Sequence, residues 1–247
     1  MLQTLGIISS PDLSQSLPLS DYRTHIQETP YGLPSAPLQC AQLGQQPVVL
    51  LRRHGVQRSI PPHTINYRAN VWALQAMGVQ QVIGITTVGG IHQDLSPGML
   101  CIADQVIDYT SGREHTYACS FSGEVGHVEF GQPYCAVVRE GLMQAARQAE
   151  IVCRDSGVYG ATQGPRLETA AEIRRMRQDG CDMVGMTGMP EASLAREMGL
   201  RYANLSLVVN WAAGLGTGPI DLHQIQQVQT TGISAIVQVL QAFCDAY

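Results

Sequence analysis

The sequence predicts an α/β protein whose single domain, residues 1–247, contains a mixed, largely parallel β-sheet with helices on both faces. Two observations lead to this prediction. Short apolar runs bounded by turn-forming residues alternate along the chain with segments of helical periodicity. The chain has 247 residues, 45% of them hydrophobic, and it shows no internal repeat, linker or low-complexity segment that would divide its core.

The strands are predicted from short apolar runs, the first three of which are too short for a buried helix. The predicted strands cover residues 4–9, 46–53, 79–87, 99–109, 152–160 and 201–210. In open sheets of this kind ligands bind at the carboxyl ends of the strands. The residues at those ends are therefore the first candidates for a site.

The helices are predicted from apolar residues that recur at helical spacing. In residues 65–78 this spacing is shown by Tyr67, Val71, Leu74 and Met77, and Gly78 ends the segment as glycine commonly ends helices. The other predicted helices cover residues 134–149, 168–178, 190–199 and 221–243, and Pro190 suits a first helical turn.

Composition and charge exclude several classes of partner. The net charge is −5 and the pI is about 5.8, and no run of Lys and Arg is long enough to follow a nucleic-acid backbone. No apolar run approaches the roughly 18 residues of a spanning helix, and the N-terminus does not resemble an export signal. Seven cysteines are widely separated without a metal-binding spacing. We therefore expect a soluble, cytoplasmic protein with buried thiols, no bound metal, and neither nucleic acid nor membrane as a partner.

Polar residues that suit an oxyanion follow several predicted strands. The strand ends are followed by Arg52-Arg53-His54-Gly55, by Thr86-Thr87-Val88-Gly89-Gly90, by "ATQGPRLE" and by Asn210. An oxyanion needs cationic donors, hydroxyls and backbone N–H groups, which Arg53, His54, Thr87 and the Val88 amide would supply. Thr187 lies just before a predicted helix start, where helix N–H groups also favour an anion. The sequence thus predicts a phosphate-sized site.

Six segments carry a resemblance to a known family. In order, "RRHG", "PPHTINYRANVWAL", "TTVGGI", "VIDYTSGREHTY", "GPRLETAAEI" and "VGMTGMPEASLARE" resemble segments of the trimeric purine nucleoside phosphorylases and 5'-methylthioadenosine phosphorylases. The match extends from about residue 46 to 226, and it is closest to the bacterial S-methyl-5'-thioinosine phosphorylases. The resemblance implies a nucleoside phosphorylase-like fold in a homotrimer with sites at subunit interfaces. It also implies phosphorolysis of S-methyl-5'-thioinosine to hypoxanthine and 5-methylthioribose 1-phosphate in purine salvage, with inorganic phosphate as co-substrate and no cofactor or metal.

The resemblance also implies a role for each site residue. Phosphate would be held by Ser9, Arg53, His54, Thr87, Val88 and Thr187. The base would contact Gly89, Leu167, Glu168, Asn210 and Ala212. The ribose and its methylthio group would contact Met186, Leu222, Ile225 and His127, the last from a neighbouring subunit. Within this set, Asn210, Glu168 and His54 would be catalytic.

The Asn210 amide matches a 6-oxopurine better than adenine. It can donate an N–H to O6 while its carbonyl accepts from a protonated N7, and Glu168 can accept from N1–H. Adenine enzymes of the family carry aspartate in place of Asn210, and a second such position is Ala212 here. A buried donor facing a donor costs about 1–3 kcal/mol, so hypoxanthine-type bases are favoured.

The residues predicted to contact the 5' end of the ribose are compatible with two substrates. The spacing of Leu222 and Ile225 matches the apolar pair that accepts a methylthio group in the family, because a thioether enters an apolar pocket at little cost. His223 is adjacent, and a shift of one residue in the match would instead give a partner for a 5'-hydroxyl. A general inosine/guanosine phosphorylase is therefore the alternative.

One segment departs from the family pattern. Where the family has a glycine-rich phosphate loop, this chain has Ser9-Ser10-Pro11-Asp12. Pro11 has no N–H to donate and the Asp12 carboxylate would repel phosphate, although the serine hydroxyls could compensate. A non-catalytic purine-binding protein and, less favoured, a hydrolase therefore remain as further alternatives.

Overall fold

The computed structural model describes residues 3–118 and 127–246. Its strands are β1 Leu5–Ser9, β2 Leu19–His25, β3 Leu38–Leu43, β4 Gln46–Arg52, β5 Gln81–Gly90, β6 Leu100–Ile102, β7 Gln105–Asp108, β8 Cys153–Arg154, β9 Val158–Ala161, β10 Met183–Gly185 and β11 Arg201–Trp211. Its helices are α1 Tyr67–Ala76, α2 Ala136–Gln148, α3 Ala170–Gln178, α4 Gly188–Glu197 and α5 Leu222–Asp245, with a 3-10 turn at Pro62–Thr64. Within these ranges, none of the helices has both the length and the apolar character that crossing a bilayer requires.

The strands form one mixed sheet that branches at β5. One path runs β2-β3-β4-β1-β5-β10-β9-β7, while β11 pairs with β5 and leads to β6 and β8. Strand β11 is parallel to β5 over nearly its whole length, whereas β10 pairs antiparallel with the last residues of β5. The carboxyl ends of β1, β4, β5 and β11 therefore open on one region, which β10 closes from the side.

Helices cover both faces of the sheet, as the sequence predicts. Alternate residues of β5 point to opposite faces. Ile83 and Ile85 pack in the cluster that includes residues of α2 and α5, and Val82 and Val88 pack in the cluster that includes residues of α1 and α4. These two apolar layers fix the position of β5 and of the chain that follows it.

The structure corrects two predicted strands. Residues 99–109 and 152–160 each form two short strands. At the break between the strands of each pair, the Gly157 N–H donates to the Asp104 carboxylate at 2.8 Å. Strands β2, β3 and β10 were not predicted. Most of β2 is exposed and polar, and β10 has only three residues. The sequences of β2 and β10 therefore lack an apolar pattern long enough to predict a strand.

Candidate active site

A cavity of about 270 Å³ lies where these strand ends meet. Of the residues predicted for the site, those that line it are His54, Thr87, Val88, Gly89, Leu167, Glu168, Met186, Thr187, Asn210, Ala212, Leu222 and Ile225. The first and last of these residues, His54 and Ile225, are more than 170 positions apart in the sequence. The structure differs from the prediction at Ser9 and Arg53, which do not line the cavity.

Arg53 lies behind the cavity wall and is fully buried. Its Nε and Nη2 donate to the two Glu191 carboxylate oxygens, both at 2.7 Å. Nη1 donates to Ser10 Oγ and Ile85 O, each at 2.8 Å, and Nη2 also donates to Ile8 O at 3.2 Å. All five guanidinium N–H groups are therefore used within the protein. Arg53 supports the wall of the site, and the prediction that it contacts phosphate does not match this structure.

Ser10 takes the place that the sequence assigned to Ser9. The Ser9 side chain is buried at the end of β1, whereas Ser10 lines the cavity. Ser10 Oγ accepts from Arg53 and lies 3.5 Å from His54 Nε2. Since Arg53 occupies an acceptor position, the hydroxyl proton of Ser10 can be donated to His54 Nε2 or, in its place, to an anion in the cavity.

The Asp12 carboxylate does not face the cavity as an unpaired charge. Its Oδ2 lies 3.0 Å from Arg52 Nη1, and its Oδ1 accepts from the backbone and the hydroxyl of Ser14. Partial burial acts to raise the pKa of Asp12, but the Ser14 hydrogen bonds and the Arg52 charge outweigh it, so the pKa lies below its usual value. The predicted repulsion of phosphate by Asp12 is thus offset by Arg52.

His54 is held in one orientation beside Ser10. Its Nδ1 lies 2.8 Å from the Ile60 carbonyl, which can only accept, so Nδ1 carries a hydrogen. Burial, with the nearby charges of Arg53 and Arg58, lowers the pKa of His54 below its usual 6.5. His54 is therefore neutral at pH 7, and its Nε2 is an acceptor.

The lowered pKa of His54 makes the folded state less stable in mild acid. Below about pH 6.5 the unfolded chain binds a proton that folded His54 does not, so the free energy of unfolding falls by up to about 1.4 kcal/mol per pH unit until folded His54 is protonated. Urea unfolding at pH 7.5 and 5.5 measures this effect. We expect a smaller loss on acidification in His54→Gln than in the wild type, and an equal loss in both would contradict it.

A β-bulge directs Asn210 into the cavity. Val208 is paired with Val88 and Asn210 with Gly89, so the register of β11 shifts by one residue at Val209. Bulges commonly redirect side chains beside active sites. Asn210 Nδ2 donates to Trp211 O at 2.7 Å, which leaves its second N–H and its Oδ1 for a ligand.

Glu168 also lines the cavity, from the segment that leads into α3. Its Oε1 accepts from the Thr162 hydroxyl at 2.6 Å. Leu167 and Met186 line the same cavity, and Ala212 forms part of its floor. A side chain on Gly89 would have its Cβ 3.3 Å from the Ala212 Cα, so glycine permits the close approach of β5 to this floor.

The start of α4 differs from the expected anion-binding helix terminus. The N–H groups of Thr187 and Gly188 donate to the hydroxyl of buried Tyr159, at 3.4 and 3.3 Å. Met189 and Pro190 have non-helical backbone angles, so the first turn is irregular. Thr187 lines the cavity, and its side chain makes no capping hydrogen bond to α4.

Leu222 and Ile225 form an apolar part of the cavity wall. They lie three positions apart in the first turn of α5 and so share one face of the helix. His223 is not among the lining residues, and its backbone N–H donates to the capping Asp221. The geometry favours the pairing of Leu222 with Ile225 over the alternative in which His223 meets a 5'-hydroxyl.

His127 and Arg113 lie outside the lining of the cavity. His127 is exposed and does not line the cavity of its own chain, which leaves its predicted role in a neighbouring subunit as an expectation. Arg113, which the sequence did not single out, is 7% exposed and donates to the carbonyl oxygens of Met186, Met189 and Gln163 at 2.6–2.9 Å. Arg113 thereby joins two segments that form the cavity wall.

Comparisons with known proteins agree with this geometry. A family model described as the phosphorylase superfamily matches residues 12–245. The chain is 50% identical over 214 residues to a probable S-methyl-5'-thioinosine phosphorylase of Xylella fastidiosa, covering 87% of this chain and 90% of that protein. It is 40% identical over 233 residues to a 6-oxopurine nucleoside phosphorylase of Pyrococcus furiosus, covering 91% and 86%.

A solved structure shows the same fold. The N87T mutant of an adenosine/methylthioadenosine phosphorylase from Schistosoma mansoni, in complex with adenine, aligns with a TM-score of 0.94 at 29% identity. The alignment covers 100% of this chain and 92% of that one. The branched sheet and the family match over residues 12–245 lead to one conclusion: this chain belongs to the phosphorylase superfamily.

Proposed function

We propose that this protein cleaves S-methyl-5'-thioinosine with inorganic phosphate, giving hypoxanthine and 5-methylthioribose 1-phosphate. One observation carries the proposal: the cavity lining combines an amide and a carboxylate, several hydroxyl-bearing residues, and an apolar pair. These groups match the base and the methylthio group of that nucleoside and the inorganic phosphate that reacts with it. The name of the Xylella relative supports the same substrate.

The cavity holds phosphate mainly with neutral donors. Ser10, Thr87 and Thr187 are hydroxyl-bearing lining residues, and no Arg or Lys is among the lining residues of the described chain. Neutral His54 Nε2 accepts from the O–H of hydrogen phosphate. The charge of the anion is then not cancelled by a direct cation, so it stabilises the positive charge that develops at C1' as the bond to N9 breaks.

The base end stabilises the leaving group. As C1'–N9 breaks, its electron pair moves onto the purine, where negative charge develops at N7 and O6. The departing base takes up a proton from water at N7, and the proton of hydrogen phosphate is released to solvent from the sugar phosphate that forms. Asn210 donates to O6 and accepts from N7–H, while Glu168 accepts from N1–H. Phosphate oxygen forms the new bond to C1', which balances the bond that is lost.

The apolar wall gives the preference for sulfur at the 5' position. We expect Ile225→Ala to lower kcat/KM for methylthioinosine about tenfold and to change that for inosine less, because apolar contact with the methylthio group is lost. His223→Ala is the matched control and should leave both unchanged, since His223 lies off the cavity. A selective loss of inosine cleavage in His223→Ala would show instead that His223 binds a 5'-hydroxyl.

We also propose that the protein acts as a homotrimer in the cytoplasm. Leu167 and Leu222, 40% and 70% exposed, lie at the cavity, where a second copy would cover their apolar surface. The exposed His127 would then be available to the cavity of a neighbour. Sedimentation equilibrium gives the oligomeric state, and a monomer at assay concentration would contradict this part.

The proposed reaction is tested by product analysis with and without phosphate in the presence of a metal chelator. We expect hypoxanthine and 5-methylthioribose 1-phosphate from methylthioinosine only when phosphate is present. Cleavage without phosphate would indicate a hydrolase, and faster cleavage of inosine would indicate a general 6-oxopurine nucleoside phosphorylase. Binding of hypoxanthine without cleavage of any nucleoside would indicate a purine-binding protein.

A further inference from the structure

Glu168 lies between two cavities. Besides the candidate active site, it lines a second cavity of about 400 Å³, whose other lining residues include Thr162, Arg166 and Arg175. Glu168 is only partly buried, and glutamate has three rotatable side-chain bonds. A carboxylate at this boundary can turn toward the active-site cavity or toward the second cavity. Another residue must therefore fix the orientation of the Glu168 side chain.

Thr162 is the side chain that bonds Glu168 in the structure. Its hydroxyl donates to Glu168 Oε1 at 2.6 Å, while its next acceptor, Gly185 O, is 3.4 Å away. A hydroxyl has one hydrogen to donate, and the shorter contact identifies Glu168 as its main acceptor. One oxygen of the carboxylate is thereby fixed, and the other is left for a ligand.

Thr162 itself is held firmly by its backbone. Its N–H donates to Gly185 O at 2.8 Å, and its carbonyl accepts from Arg113 Nη2 at 3.2 Å. Arg113 is buried and bonds the neighbouring Gln163 carbonyl as well. The Thr162 hydroxyl is therefore attached to a fixed point in the wall of the second cavity.

We propose that Thr162 is a positioning residue for base recognition: its hydroxyl holds one oxygen of Glu168 at the boundary of the two cavities, so that the free carboxylate oxygen meets the N1–H of a 6-oxopurine. Without the hydroxyl this restraint on Glu168 is lost, its carboxylate turns away from the base, and the base loses its acceptor. The inference rests on the proposed function, because it assigns N1–H as the group that Glu168 binds.

Thr162→Val tests the proposal, since valine keeps the shape of threonine and removes the hydroxyl. We expect Thr162→Val to weaken hypoxanthine binding and to lower kcat/KM for methylthioinosine by about 10- to 100-fold, with the KM for phosphate changed less than about twofold. Thr162→Ser should recover most of both losses, because it restores the donor. Thr231→Val, which removes an exposed hydroxyl on α5, is the control for a general effect of the substitution.

A double-mutant cycle separates positioning of Glu168 from a general structural role. In a Glu168→Ala background, Thr162→Val should cause no further loss of hypoxanthine binding, because the residue it positions is absent. A further loss of the same size there, or wild-type binding and kinetics in Thr162→Val, would overturn the inference. Failure of the wild type to cleave methylthioinosine would count against the proposed function instead, and the calorimetric binding of hypoxanthine would still decide whether Thr162 acts through Glu168.

Discussion

Replacing Asn210 with aspartate is expected to lower kcat/KM for methylthioinosine by about 100-fold or more and to remove the preference over methylthioadenosine. A carboxylate can only accept, so it repels O6 of a 6-oxopurine, whereas it accepts from the 6-amino group of adenine. Sites built around one substrate hydrogen bond discriminate by ~10⁴, so a change of two orders of magnitude is within range. Steady-state kinetics with both nucleosides measure the effect.

Asn210→Ala provides the control for this prediction. Both substitutions remove the bond from Asn210 Nδ2 to Trp211 O, but only aspartate supplies a new acceptor to the base. We expect Asn210→Ala to lower activity on methylthioinosine without a gain on methylthioadenosine. An unchanged ratio of the two substrates in Asn210→Asp would show that another group determines the choice of base.

Replacing Arg53 with methionine is expected to lower the free energy of unfolding by about 3–5 kcal/mol. The substitution leaves the Glu191 carboxylate buried with Tyr202 Oη at 2.8 Å but without a balancing charge. It also removes the donor to Ser10, so the KM for phosphate should rise. Urea unfolding and steady-state kinetics measure these two effects.

The neighbouring arginine gives a matched control. Arg52 pairs with Asp12 at 3.0 Å, and both side chains are partly exposed, so Arg52→Met should cost only about 0–1 kcal/mol. Where Arg53→Met does not fold, Arg53→Met combined with Glu191→Gln relieves the buried charge and should be the more stable of the two. A rise in the KM for phosphate without any loss of stability in Arg53→Met would restore the sequence-based view that Arg53 binds phosphate directly.

The parts of the fold that the sequence predicts are those with a strong local pattern. The helix around Val71 and Leu74 and the buried core of β5 show their periodicity in adjacent residues. Strand β2 could not be predicted because nearly all of its side chains are exposed, and its position depends on pairing with β3. The sequence of β2 therefore shows no alternation of apolar and polar residues that would predict a half-buried strand.

The site also contains residues that the local sequence predicts and residues whose roles depend on contacts with distant parts of the chain. Asn210 was recognisable because an amide follows a buried apolar run, although the bulge that directs it into the cavity depends on pairing between β11 and β5. The role of Arg53 could not be deduced, since its partner Glu191 lies 138 residues away in the sequence. The bond from Thr162 to Glu168 likewise depends on the path of the loop between them, which residue types alone do not specify.

The central claim is that the amide of Asn210 and the carboxylate of Glu168 select a 6-oxopurine. The ratio of kcat/KM for methylthioinosine to kcat/KM for methylthioadenosine, measured with the wild-type protein at saturating phosphate, tests this most directly. We expect a ratio of at least about 100. A ratio near one, or one that favours methylthioadenosine, would contradict it.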